Sequence, residues 1–169
     1  TLFINPGTGT VLSTVNIRDG LWHHVAAVKS GTAVTIYLDC VPVITLPSEG
    51  IFAGAPQNFH LGDWAGGGAI PRFWQGQIDE FKVWGAALTA AEIRDEMFCS
   101  LDPSNTNLLI HFPFDQGVPG GNNSTVGAFI NVGSAGGLGL PTNFLLNTNS
   151  SNLVARGRDL LPDCNVNYF

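Results

Sequence analysis

Residues Phe73 to Arg94 read FWQGQIDEFKVWGAALTAAEIR, a turn followed by a strand and a short helix. Within the strand, Phe81 and Val83 alternate with Glu80, Lys82 and Trp84, the period of an extended segment with two unlike faces. Asp79 shares the parity of Phe81 and Val83. The spacing therefore aims a carboxylate at the face the apolar residues choose, which is costly unless backbone donors or a cation meet it. The helix start signals follow at once: Thr89 as N-cap, Glu92 three residues on as in a capping box, and Leu88 with Ile93 as a hydrophobic staple. Ile93 and Met97, four apart, give this helix near 89–98 its expected buried edge.

Working outward, the same period-two alternation recurs. Trp22, His24, Ala26 and Val28 share one face of an expected strand, with His23, Val25 and Ala27 on the other. Val34, Ile36 and Leu38 alternate with Thr35, Tyr37 and Asp39, and Val41–Leu46 follows as the hairpin partner. Residues 1–17 read as two short strands around the turn-forming Asn5-Pro6-Gly7-Thr8-Gly9. Phe59 and Leu61 flank His60 in a short strand, and Leu108–Phe114 is another. Beyond Gly117 the composition turns to Gly, Asn and Ser, with weak strand signals near Val126–Val132 and Leu153–Ala155. Only one convincing helix signal stands among these strands and turns, so the fold class is all-β and antiparallel.

The 169 residues carry 21 glycines and 10 prolines, and 12% are charged, about half the usual share. The net charge is −6 with only seven Lys and Arg. No basic stripe exists, which excludes nucleic acid as a partner and disfavours anionic membrane surfaces. No apolar run reaches the length of a membrane-spanning helix. The opening residues Thr1–Asn5 read as a strand without the charged start of a signal peptide, as expected of a mature or internal stretch of chain.

Three cysteines, Cys40, Cys99 and Cys164, cannot all pair with one another. Pairing of Cys99 with Cys164 would pin the Gly-rich tail and leave Cys40 free or intermolecular; three buried thiols are the alternative. Asn122, Asn123 and Asn149 each begin an Asn-x-Ser/Thr glycan acceptor motif in a polar stretch. His23 and His24 adjoin but face opposite ways on a strand, which suits a His wedged beside Trp22 and bonded to backbone rather than a shared metal. Asp79 and Glu80 point to opposite faces and do not make a glycosidase pair by spacing. No nucleophile–base order is compelling, and the expectation is a protein that is not an enzyme. Trp64, beside Asp63 in the loop GDWAGGGA, is placed to stack on a sugar with a hydrogen-bonding neighbour. Trp74 and Trp84 are expected in packing.

Taken in order, Asp19-Gly20-x-Trp22-His23-His24-Val25-Ala26, Ile36-Tyr37-Leu38-Asp39, Leu61-Gly62, Phe73-x-x-Gly76-x-Ile78-Asp79-Glu80-Phe81 and Ala87-Leu88-Thr89-x-x-Glu92-Ile93 resemble a laminin-G-like domain. That is the concanavalin A-like jelly-roll group to which the pentraxins are related. The resemblance implies a sandwich of two antiparallel sheets with one short helix over residues 1–116, and secretion. Residues 117–169 are then a tail that completes this sandwich or a neighbour's. Family members carry Gly after the Tyr-x-Asp segment. Here Cys40 stands there, so the turn differs or Cys40 accepts a strained conformation.

The family's first strands are missing from the pattern, while Leu108–Gly117 resembles its opening strand as well as its closing one. Three explanations follow: a fragment of a longer protein, a tail that supplies the missing strands in cis, or a tail that adds a strand to the next subunit. The resemblance also implies calcium, with Asp79 at one ligand position and Asp115 a second ligand if the tail replaces the missing part. Calcium takes 6–8 oxygens, so these two alone are too few. The functional expectation is a non-catalytic extracellular recognition or adhesion module for glycan or protein. The alternatives are a self-associating subunit of an extracellular fibre, joined by strand complementation and disulfides, or an accessory module of a larger secreted enzyme.

Overall fold

The computed structural model describes residues 3–4, 11–12, 16–47, 60–62, 74–98, 105–142, 144–148 and 152–153. Strands β1 (Phe3–Ile4) and β2 (Val11–Leu12) pair antiparallel. Strands β3 (Val25–Ser30), β4 (Ala33–Leu38) and β5 (Val41–Pro47) form an antiparallel sheet in that order. β6 (Phe81–Trp84) pairs with β7 (Leu108–Phe112), and β8 (Phe129–Ile130) with β9 (Leu138–Gly139). The described helix, α1, runs Ala90–Phe98.

β4 has the cleanest period: Val34, Ile36 and Leu38 are buried and the residues between them half-buried. With Ile93, Leu108 and Leu146 they make the buried apolar core of the described residues. Burying each of these side chains stabilises the fold by about 1.5–3 kcal/mol before entropy is counted. α1 starts as expected. Glu92 accepts bonds of 2.7 Å from both the Thr89 N–H and its hydroxyl, and the Glu92 N–H donates back to Thr89 Oγ1 at 3.3 Å. Those bonds also lower the Glu92 carboxyl below its ordinary pKa. The buried edge differs in one place: Ile93 and Glu96 are buried and Met97 only half so.

Two boundaries depart from the alternation. β3 begins at Val25 rather than Trp22, because the His24 N–H bonds the Asp39 carboxylate and the His24 carbonyl accepts the Asp39 N–H. β6 begins at Phe81 because Glu80 is left-handed, with φ of 50°. The parity argument that tied Asp79 to Phe81 fails at that residue, since a left-handed residue breaks the pleat. Asp79 instead accepts the Glu80 N–H on Oδ1 at 3.0 Å. Lys82, expected to be polar and outward, is 12% exposed at its side chain and lies under α1 against Glu96.

The stretch after β7 is held by side-chain amides more than by ladders. Asn131 accepts the N–H groups of His111 (2.7 Å) and Gly133 (2.8 Å) on Oδ1. Its Nδ2 donates to the carbonyls of Leu109 (3.1 Å) and Gly136 (2.7 Å). The N–H groups of Val132, Ser134 and Ala135 donate to carbonyls of His111, Leu108 and Leu109, so residues 131–135 lie along β7. Gly133 fits there because a Cβ would sit 2.5 Å from the Leu109 carbonyl oxygen. β8 falls within the weak strand signal near 126–132, whereas β9 stands where no strand was expected. Leu153 is in no strand, and residues 154–155 lie outside the described residues.

Candidate functional site

Two groups of side chains and the pair Gly62 and Trp74 stand out. The first group surrounds a cavity of about 830 Å³ between β3 and residues 77–84, bordered by Trp22, His24, Ile78, Lys82, Glu96 and Trp74. Lys82 Nζ donates to Glu96 Oε2 at 2.6 Å and lies 3.6 Å from Glu80 Oε2, which is 2.8 Å from His111 Nε2. The side chains of Lys82, Glu96, Glu80 and His111 are 12%, 4%, 20% and 12% exposed, so this row is mostly out of water. Buried charges of this kind hold only when paired. His24 Nδ1 is buried without a hydrogen-bond partner. Burial, then the Lys82 charge, depress its pKa and keep the ring neutral.

The second group is Asp19, His23 and Asp39. His23 Nδ1 lies 2.8 Å from Asp39 Oδ2, and Nε2 lies 3.1 Å from both Asp19 oxygens. The bond to Asp39 raises the imidazole pKa, burial lowers it by less, and the bond to Asp19 raises it further, so the net shift is upward. Asp39 and Cys40 form the tight turn between β4 and β5, with φ of 49° and 67°. Cys40 therefore does accept the left-handed conformation that Gly adopts freely. Its thiol lies 3.3 Å from Met97 Sδ on α1, and burial followed by the Asp39 charge raises its pKa. The sequence reading placed a His beside Trp22 on backbone bonds and missed both carboxylates. The available signal was Asp19 four residues before His23, with Asp39 at a hairpin tip.

The Trp74 N–H donates to the Gly62 carbonyl at 2.8 Å, which ties the two residues together. Trp74 was expected in packing but is 51% exposed. Its indole N–H donates to the Gln77 carbonyl at 3.3 Å. The ring lies so close over Gly76 that a Cβ there would be 2.9 Å from Nε1. Gln75 and Gln77 beside it are exposed.

The other sequence-predicted residues are placed as follows. Asp63, Trp64, Cys99, Cys164 and Asn149 lie outside the described residues. Cys40 is a free thiol. The register Phe81↔Phe112 puts Asp79 and Asp115 at the same end of the β6–β7 pair. No group of three or more His, Cys, Asp or Glu that could hold a metal occurs among the described residues.

Asn122 is exposed, with Oδ1 accepting from the Ser124 N–H and hydroxyl. Asn123 corrects the expectation of an accessible glycan acceptor. It is 3% exposed, and its Nδ2 donates to Val118 O and Asn152 Oδ1, both at 2.8 Å, so in the folded chain that nitrogen is inside and engaged.

The sequence profile of the Concanavalin A-like lectin/glucanases superfamily, in its laminin G form, matches residues 2–94. The chain belongs to that family. Its antiparallel strands and single described helix are those of the concanavalin A-like sandwich. Among solved structures, it is similar to a candidate carbohydrate-binding protein from Bacteroides ovatus, with 19% identity, a TM-score of 0.61, and coverage of 80% of this chain and 40% of that one. A second similarity is to residues 221–444 of an S-layer domain-containing protein from Clostridium thermocellum, at 25% identity, TM-score 0.37, covering 52% of this chain and 44% of that one. The chain thus spans less than half the length of either. A comparison with curated proteins finds no match. No helix among the described residues is long and apolar enough to cross a membrane.

Proposed function

We propose that this laminin G-type domain is an extracellular recognition module that binds carbohydrate without chemistry, through the surface around Trp74. The observation that carries the reading is the presentation of Trp74. A half-exposed indole is fixed by its own N–H bond and by the bare backbone of Gly76, with two exposed glutamines beside it. A ring held this way offers its apolar face at little entropic cost, and the amides supply hydrogen bonds to hydroxyls. Asp63 and Trp64, which follow Gly62 in the sequence, are the further contacts in the proposal. The similarity to the Bacteroides ovatus protein and the family's lectin membership support the same reading. So does the engagement of the cavity's acids: Glu80 and Glu96 are tied to His111 and Lys82.

Calcium belongs to the proposal only as an aid at the Asp79–Asp115 end, completed by oxygens beyond these two. A glycan array probed with the domain, with and without a chelator, tests the reading. Binding that Trp74→Ala weakens by roughly three- to tenfold, as loss of one stacking contact predicts, supports it. Absence of binding in both conditions removes it. Glycan binding unchanged by Trp74→Ala moves the site elsewhere on the domain.

A second reading, a self-associating subunit of an extracellular assembly, has one observation in its favour. The outer face of β8–β9 shows Ile130 and its cross-strand partner Leu138, 55% and 63% exposed, with Val132 and Leu140 beside them. Light scattering of the reduced domain distinguishes it, since a stable monomer at high concentration argues against assembly through that face.

A further inference from the structure

We propose that Asp19, His23 and Asp39 form a pH-operated clasp. It holds the loop Asn16–Leu21 against the Asp39–Cys40 turn while His23 is an imidazolium, and frees the loop when His23 gives up its proton. The argument rests on donor counting. Ionised carboxylates only accept, and both His23 ring nitrogens face one: Nδ1 faces Asp39 at 2.8 Å and Nε2 faces Asp19 at 3.1 Å. A neutral imidazole has a single N–H, so only the cation satisfies both sides.

The two sides are not equal. Asp39 is anchored whatever the charge on His23, because its Oδ1 accepts the His24 N–H and its own N–H donates to the His24 carbonyl, both at 2.9 Å. Among the described residues, the support of Asp19 besides His23 is local, the Leu21 N–H at 2.9 Å. When the proton leaves, the remaining N–H stays with the fixed and closer Asp39. Asp19 is then left facing a lone pair, and its loop is the part that moves. Gly20, at φ of 82°, gives that loop a hinge. Ile17 and Leu21 on the loop border the cavity of about 830 Å³, so its release alters the cavity mouth.

The other charged or titratable groups near the clasp do not cancel this effect. Arg18 is exposed on the moving loop, and Arg94 of α1 lies with Asp39 and Cys40 around a shallow cavity. The Cys40 thiol is raised by burial and by Asp39, so it stays neutral while His23 titrates. His24 is neutral by burial. The sign follows from the two shifts. His23 is raised, so its contribution is full below the ordinary imidazole value of 6.5 and is lost as pH rises through the raised value. Asp19 is lowered, chiefly by the Leu21 N–H and then by His23, so its contribution is full above 3.8 and is lost as pH falls through the lowered value. The clasp is thus closed in mildly acidic solution and opens as pH rises through the raised His23 value.

Histidine-detected NMR titration of the domain, with amide exchange of residues 16–24 measured alongside, tests the clasp. The expected result is a His23 midpoint above that of free histidine. Through that midpoint, Leu21 exchange should accelerate beyond its intrinsic pH dependence while the His24 amide stays protected. Asp19→Asn, an exposed change that leaves the core intact, should lower the His23 midpoint. His23→Gln should leave the loop free at every pH, with Val34 and Ile36 methyl signals reporting an unchanged fold. A His23 midpoint at or below that of free histidine overturns the proposal, and so does a Leu21 amide that passes through the midpoint without change.

Discussion

The β3–β4–β5 sheet and the stretch after β7 solve the same problem with different chemistry. In the first, the backbone is satisfied by ladders of six paired positions on each side of β4, and side chains are left to pack or to form the His23 clasp. In the second, β8 and β9 pair at only two positions, and Asn131 and Asn123 complete the bonding with their side-chain amides. Ladders spread the load over many equivalent bonds, so one lost contact is tolerated. An amide that bridges four backbone groups concentrates it, because its removal leaves several buried groups unpaired at once.

The largest expected effect therefore falls outside the main sheet. Asn131→Ala removes four bonds, to His111, Gly133, Leu109 and Gly136, and should destabilise the domain by roughly 2–4 kcal/mol at about 1 kcal/mol each, less whatever entering water restores. Urea unfolding gives the magnitude. Exchange of the Val132 and Ala135 amides should rise before that of β4. A loss below about 1 kcal/mol would show that the amide is not the strut the bond pattern makes it.

The same contrast explains what the sequence disclosed. Period-two alternation in Val34–Leu38 and the Thr89–Glu92 cap are local signals, and both stand in the structure. The laminin G resemblance came from short segments whose order survives, and it covers the part built on ladders. Asn131 and Asn123 carry no periodic signal; an Asn in a Gly-rich stretch looks alike whether it bridges a core or solvates a loop, and Asn123 was misread as a glycan acceptor for that reason. The face of Asp79 was misread because the left-handed backbone of Glu80 breaks the alternation that runs through Phe81 to Trp84. His23 escaped because its partners are brought together by the hairpin. Trp74 escaped because a tryptophan near a strand is more often packed than shown, and only the contact with Gly76 reveals how it is held.

An intermediate effect tests the helix that sits over the first region. Thr89→Ala removes the hydroxyl that Glu92 and its N–H both use, and should cost about 1 kcal/mol. Thr89→Ser should restore most of it, with thermal unfolding as the readout. A Thr89→Ala domain as stable as the parent would mean that tertiary packing of Ile93 alone holds the first turn.

The smallest effect is the most discriminating, because it sets backbone strain against a side-chain contact at one residue. Cys40 pays a left-handed conformation, roughly 1–2 kcal/mol for a residue with a Cβ, and its thiol touches Met97 in return. Cys40→Ala keeps the strain and loses the contact. Cys40→Gly loses the contact but relieves the strain, against about 0.5–1 kcal/mol of extra unfolded-chain entropy. The glycine variant should therefore equal or exceed the alanine variant in stability by up to about 1 kcal/mol in urea unfolding. The reverse order would mean that the turn relaxes without glycine. The His23–Asp39 bond, which fixes the turn from its other residue, would then be what dictates its shape.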